Sequence, residues 1–104
     1  MTLEELENIC MEIISKAGES RAQIYCALDL YLKGDCKAAR EKIEETDVYL
    51  QEAHDVQFTK LMAYQLNGGE IPFQLLILHA MDLLMIVSSE RDMLRHVVLA
   101  KCKE

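Results

Sequence analysis

The sequence predicts an all-α protein, an antiparallel bundle of three helices. The 104 residues include no Trp, two Phe, four Tyr and a single Pro, so residues that favour strands and turns are scarce. Glycine-containing breakers divide the chain into three segments, and each segment carries apolar residues at helical spacing. With 51% hydrophobic residues, a chain of this length can bury one core, so we expect a single domain spanning residues 1–104.

The first helix is predicted over residues 2–33. Thr2 and Glu5 have the spacing of a capping box at its start. Apolar residues then recur at steps of three, four or seven: Leu3, Leu6, Cys10, Ile13, Ala17, Ile24, Leu28 and Tyr31. Gly18 would lower the cost of a bend, and Arg21 falls on the apolar stripe. A local irregularity is therefore expected around these two residues.

The second helix is predicted over residues 35–67. Gly34 and Asp35 end the first helix and cap the second. The apolar seam of this helix contains Ala39, Ile43, Thr46, Leu50, Ala53, Gln57, Leu61 and Tyr64. The Asn-Gly-Gly sequence at residues 67–69 is the strongest breaker in the chain and ends the helix.

The third helix, predicted over residues 71–103, is apolar all round. Pro72 stands in its first turn, where proline is tolerated. After that turn, the non-apolar side chains up to residue 87 are Gln74, His79 and Asp82. A membrane span is the alternative explanation, but the run is short, has polar groups at its centre and lacks basic flanks. Since a helix in a three-helix monomer buries one stripe, we expect self-association around this helix instead.

Charge and cysteine spacing exclude several classes of protein. The net charge of −7 opposes a polyanion partner, and the basic residues are scattered, so nucleic-acid binding is not expected. The cysteines at positions 10, 26, 36 and 102 include no CxxC pair, and we interpret them as separate, reduced thiols. The acidic opening of the chain is unlike a secretory signal, which favours a cytoplasmic protein.

The polar pair in the third helix is the candidate functional site. His79 and Asp82 stand at i and i+3, so they share one side of the helix. One interpretation is structural: a core histidine hydrogen-bonded to the neighbouring aspartate. The other is functional, because a neutral imidazole can accept a phosphoryl group when its second nitrogen is held by an acceptor.

Asp82 raises a further question if the third helix lies on a symmetry axis. Each chain would then bring one carboxylate to the same place, where like charges repel. Either the carboxylates share protons or a hard divalent cation lies among them. The residues alone leave both alternatives open.

Motifs along the whole chain resemble the lactose/cellobiose class of enzyme IIA proteins of the bacterial sugar phosphotransferase system. Residues 69–72 match G-E-x-P, and residues 79–85 match H-x-x-D-x-L-M. Residues 17–21 resemble the family's A-G-x-x-R, residues 34–35 its Gly-Asp turn, and residues 52–57 its E-A-H-x-x-Q. The motifs occur in the family's order without insertion, so together they are fairly specific.

The resemblance implies a homotrimer of three-helix subunits, a nine-helix bundle. It implies that His79 accepts phosphate from the phosphocarrier HPr and passes it to a cysteine of enzyme IIB, for uptake of a disaccharide such as lactose, cellobiose or diacetylchitobiose. It further implies that Asp82 coordinates one Mg²⁺ ion per trimer on the three-fold axis. Contact with the membrane would be indirect, through the transporter subunit.

Two departures from the family pattern lie beside the expected nucleophile. Many members carry H-x-Q-D-H-L-M, whereas Met81 and Leu83 replace the glutamine and the second histidine here. His54 and Gln57 in the second helix are the remaining candidates for supporting groups, although the pattern at His54 favours a partly exposed helix histidine without a functional role. The alternative function is therefore a non-catalytic oligomeric regulator or adaptor. A metal-binding helical bundle is disfavoured, because facing Glu-x-x-His pairs are missing.

Overall fold

The computed structural model describes residues 1–102, which form three helices and no strand. Helix α1 spans Leu3–Leu32. The Thr2 side chain accepts a hydrogen bond from the Glu5 amide at 3.0 Å, and the Glu5 carboxylate accepts one from the Thr2 amide at 3.2 Å. The predicted capping box is thus confirmed. The irregularity predicted around Gly18 and Arg21 is wrong: α1 is continuous, because Arg21 lies at the helix surface and pairs there with Glu90.

Helix α2 is composite. It begins as the α-helix Cys36–Val56, continues as the π-helix Gln57–Met62 and ends in the α-helical turn Ala63–Leu66. Asp35 caps its start by accepting a hydrogen bond from the Ala38 amide at 3.1 Å. The predicted range of residues 35–67 agrees with these bounds, but the π-helical segment was not anticipated.

Helix α3 spans Leu75–Lys101, so the predicted start at residue 71 is wrong. After α2, Gly68 adopts a φ of 92°, a conformation that favours glycine. Residues 69–74 then run without helical structure, which places Ile71 against the core. Proline is compatible with the first turn of a helix but does not impose one. The predicted helix end at residue 103 lies outside the described residues.

The core lies along one stripe of each helix in a rod of 49 × 20 × 16 Å. On α3 the buried side chains recur at steps of three, four or seven: Ala80, Leu84, Val87, Leu94 and Val98. The rest of this apolar helix is half-buried or exposed, as expected for a single three-helix chain. Within residues 1–102, no helix is long and apolar enough to cross a membrane.

The cysteines are not all separate thiols, so that prediction is wrong. Cys36 and Cys102 form a disulfide, with their Cα atoms 5.5 Å apart. They are 66 positions apart in sequence, but the antiparallel topology brings the start of α2 beside the end of α3. Local spacing cannot reveal such a pair. Cys10 is buried and Cys26 exposed, both with free thiols, and burial raises the pKa of the Cys10 thiol.

Candidate functional site at the exposed face of helix α3

The side of α3 opposite the core is an exposed apolar surface, which we call the outer face. Its apolar members include Leu75, Leu78, Met85, Ile86 and Met93, with exposures of 75%, 48%, 69%, 51% and 69%. Because an α-helix turns 100° per residue, Asp82 lies about 160° from the buried Ala80 and therefore near the middle of this face. The outer face is an apolar patch around one carboxylate, and such patches mark interaction surfaces.

His79 lies on the edge of the outer face that is nearer to α1. It is about 100° from Ala80, and about 20° from Glu90, three turns further along the helix. Glu90 pairs with Arg21 of α1, with a nitrogen–oxygen distance of 3.1 Å. His79 is exposed, so the interpretation as a buried core histidine is wrong for the single chain. Its imidazole is accessible to a protein partner.

Asp82 is exposed as well, and among the described residues no hydrogen bond joins it to His79. Residues 1–102 also contain no group of three or more His, Cys, Asp or Glu side chains that could hold a metal ion. One carboxylate supplies at most two of the six oxygen ligands that Mg²⁺ takes, and water would have to supply the others. Carboxylates from further copies of the chain would hold a cation at Asp82 more tightly.

The two supporting candidates on α2 contact α3 on its other edge. The Gln57 amide donates to the Met81 sulfur at 3.0 Å, and Met81 is about 160° from His79 around the helix. His54 Nε2 lies 3.0 Å from the Ser88 hydroxyl oxygen. Within one chain, neither side chain is on the same edge of α3 as His79. Their proposed support of His79 stays a prediction.

The hydrogen bonds of Ser88 assign the tautomer of His54. The Ser88 hydroxyl donates its single proton to the Leu84 carbonyl at 2.7 Å. The Ser88 oxygen must then accept from His54, which requires a proton on His54 Nε2. This bond ties α2 to α3, so His54 has a structural contact irrespective of any role in phosphoryl transfer.

The ion pair between Arg21 and Glu90 lies on the same edge of α3 as His79 and was not predicted from the sequence. Arg21 pairs with Glu90 and lies 5.6 Å from the centre of the Tyr25 ring. The pKa of Arg21 is raised, first by its hydrogen bond with Tyr25 and then by the charge of Glu90. The i, i+4 spacing of Arg21 and Tyr25 was a usable signal. Beside this pair, α1 and α3 form a mostly apolar groove of about 300 Å³, which is lined by Glu90 and by Ile24, Tyr25, Leu28, Met93, Leu94 and Val97.

Together the fold and the site define a class: a three-helix subunit that presents an accessible histidine and an aspartate on an unpartnered apolar helix face. Comparison with known proteins specifies the class further. Residues 8–101 match the model of the family described as PTS system, Lactose/Cellobiose specific IIA subunit. The chain therefore belongs to this family, and the predicted resemblance is confirmed. Membership makes the chain a phosphocarrier component of a sugar phosphotransferase system.

Individual relatives agree with this assignment. The chain is 34% identical to the N,N'-diacetylchitobiose-specific EIIA component of Escherichia coli K12, over 91% of this chain and 81% of that protein. It is 32% identical to the lactose-specific EIIA component of Staphylococcus aureus N315, over 94% of each chain. The crystal structure of PtcA from S. mutans superposes with a TM-score of 0.94 at 29% identity, over 99% of this chain and 100% of that one.

Proposed function

We propose that His79 is the phosphoryl acceptor of this subunit, taking the group from phosphorylated HPr and giving it to a cysteine of enzyme IIB during uptake of a disaccharide. The observation that carries the proposal is the accessibility of His79 at the edge of the apolar outer face. The relatives named for diacetylchitobiose and lactose support a disaccharide as the transported sugar. The reaction would take place in the cytoplasm, with membrane contact only through the transporter.

The chemistry requires two in-line displacements at phosphorus. A lone pair on a His79 nitrogen attacks the phosphoryl group of HPr, and the bond that joins the phosphorus to its carrier atom on HPr breaks. The thiolate of enzyme IIB then attacks, and the bond to His79 breaks. The protein contributes mainly positioning in such transfers. Apolar side chains such as Leu75 and Leu78 would exclude water when a partner docks, which slows hydrolysis of the phosphohistidine.

Net charge indicates how the partners dock. At −7, the chain repels phosphorylated partners at long range, so electrostatic steering does not favour the encounter. The exposed leucines and methionines around His79 offer apolar area instead. We therefore expect the contact patch to be mainly apolar.

The same face supports assembly into a homotrimer, with α3 of each subunit at the centre. In that arrangement the Asp82 carboxylates of three chains converge, and one Mg²⁺ ion would neutralise them. Three carboxylates meet the preference of Mg²⁺ for oxygen ligands, with water completing its coordination. The alternative of shared protons predicts the same assembly without a metal.

The test of the phosphoryl acceptor is incubation with phosphorylated HPr followed by mass measurement. The chain should gain one acid-labile phosphate, and His79→Ala should gain none. His96→Ala is the matched control, because His96 is also exposed on α3, and it should be phosphorylated normally. Uptake that survives His79→Ala, or that only His54→Ala abolishes, would show that another residue is the acceptor.

One observation favours the alternative of a non-catalytic regulator. Met81 and Leu83, the two residues that depart from the family pattern, place no polar group beside His79. The Met81 sulfur accepts a hydrogen bond from Gln57, and Leu83 packs partly against the core. A regulator of this kind would keep the oligomer and fail to take up phosphate from HPr. The mass measurement on the wild-type chain separates the two functions.

A further inference from the structure

The disulfide lies at the far end of the bundle from the candidate site. Cys102 ends α3, where its amide donates to the Val98 carbonyl at 2.8 Å, and its side chain is 4% exposed. Cys36 is the first residue of α2 and is half-buried. His79 and Cys102 are 23 positions apart, about 34 Å along α3. The disulfide therefore holds the C-terminal end of α3 to the start of α2 and does not contact His79.

We propose that Cys36 and Cys102 form a reversible redox clamp, opened and closed by small thiols and disulfides of the glutathione class. The inference is independent of the phosphoryl acceptor. The two sulfurs differ in accessibility: Cys36, the first residue of α2, is half-buried and is the reachable one. Cys102 is almost fully covered. Exchange thus begins at Cys36.

The electron balance is that of thiol–disulfide exchange. On closing, the Cys36 thiolate attacks one sulfur of glutathione disulfide, forms a mixed disulfide and releases one glutathione thiolate. The Cys102 thiolate then attacks the Cys36 sulfur and releases the second glutathione. Two protein thiols are oxidised and one glutathione disulfide is reduced to two thiols. Opening is the reverse sequence, started by a glutathione thiolate that attacks Cys36.

The fold should survive opening, while the end of α3 loosens. A free cysteine packs as a small hydrophobic residue, so Cys102 can stay against the core stripe that includes Ala39 and Val98. The last turn of a helix nevertheless lacks intrahelical partners for its carbonyls. Without the clamp, this turn should open locally far more often than the centre of α3.

The test uses the full chain with Cys26→Ser, which removes the exposed thiol outside the pair. The protein is equilibrated at graded ratios of reduced to oxidised glutathione, quenched and alkylated, and the label on each cysteine is measured by mass. Labels on Cys36 and Cys102 should fall together as the oxidised share rises and return when the ratio is reversed. Two thiols that stay labelled at every ratio, or a disulfide that withstands excess reduced glutathione, would overturn the proposal.

Hydrogen exchange tests the structural consequence. Opening should speed amide exchange at residues 98–102 by about tenfold or more and leave residues 79–87 unchanged. Cys36→Ser should exchange like the open state at every glutathione ratio. Equal exchange rates in the open and closed states would show that the pair fastens nothing and would refute the clamp.

Discussion

The outer face of α3 can be tested by one charged substitution at Met85, which is 69% exposed in the single chain. Burying a methionine side chain is worth about 1.5–3 kcal/mol, so burying the exposed part in an oligomer contributes about 1–2 kcal/mol per copy and about 3–6 kcal/mol per trimer. Met85→Asp removes this term and adds a carboxylate near Asp82. The trimer association constant should fall by at least about 100-fold.

The assay is analytical ultracentrifugation at micromolar concentration, with circular dichroism to follow the helices. Because Met85 is exposed in the single chain, the variant should keep its helical content. Val48→Asp is the matched control: Val48 is 57% exposed, lies on α2 and is outside the outer face. It should sediment with the wild type. A Met85→Asp protein that remains fully assembled, or a wild type that sediments as an 11.9 kDa monomer, would refute the reasoning.

Two further predictions concern the metal and the thiols. Chelator should lower the melting temperature of the wild-type oligomer, and Mg²⁺ should restore it. The Asp82→Leu variant should melt no lower than the wild type and respond to neither reagent, because apolar replacement of buried charges is often neutral or stabilising. A wild-type melting temperature that neither reagent changes would contradict the metal site and favour carboxylates that share protons. Among the two free cysteines, iodoacetamide at pH 8 should modify Cys26 in the native protein and Cys10 only after unfolding, since burial raises the pKa of Cys10 and so keeps it protonated to higher pH. Peptide mass analysis decides this, and rapid native labelling of Cys10 would contradict its burial.

The helices were predictable because apolar periodicity and breakers are local signals. The sequence located α1 and α2 to within a residue or two, since Thr2 and Asp35 cap their helices through their own side chains. The π-helical segment was missed for the opposite reason. The Thr59 hydroxyl donates to the Asp55 carbonyl at 2.7 Å, but hydroxyls in ordinary α-helices make the same bond, as Ser88 does with Leu84. A threonine at position 59 therefore does not distinguish a π-helix from an α-helix in the sequence.

The misplaced start of α3 and the missed disulfide have a common cause. Both depend on which segments become neighbours after folding. Ile71 lies before the start of α3 and packs against the core. Cys36 bonds to Cys102 because α2 and α3 run in opposite directions. Periodicity describes one element at a time. It therefore identifies faces and ends, but not the contacts between elements that are distant in sequence.

The exposed face of α3 was predictable from the sequence, but a single chain does not bring Gln57 or His54 to His79. An all-round apolar helix led to the expectation of an unpartnered face, and α3 has one. His79 lies on the edge of that face nearer α1, whereas Gln57 and His54 contact α3 on the edge nearer α2. A closed ring of identical subunits joins two different surfaces of neighbouring copies. In the proposed trimer, the edge that carries His79 in one copy would therefore face the α2 edge of the next. Any support of His79 by Gln57 would have to act between subunits, so assembly and phosphoryl transfer would depend on the same interface.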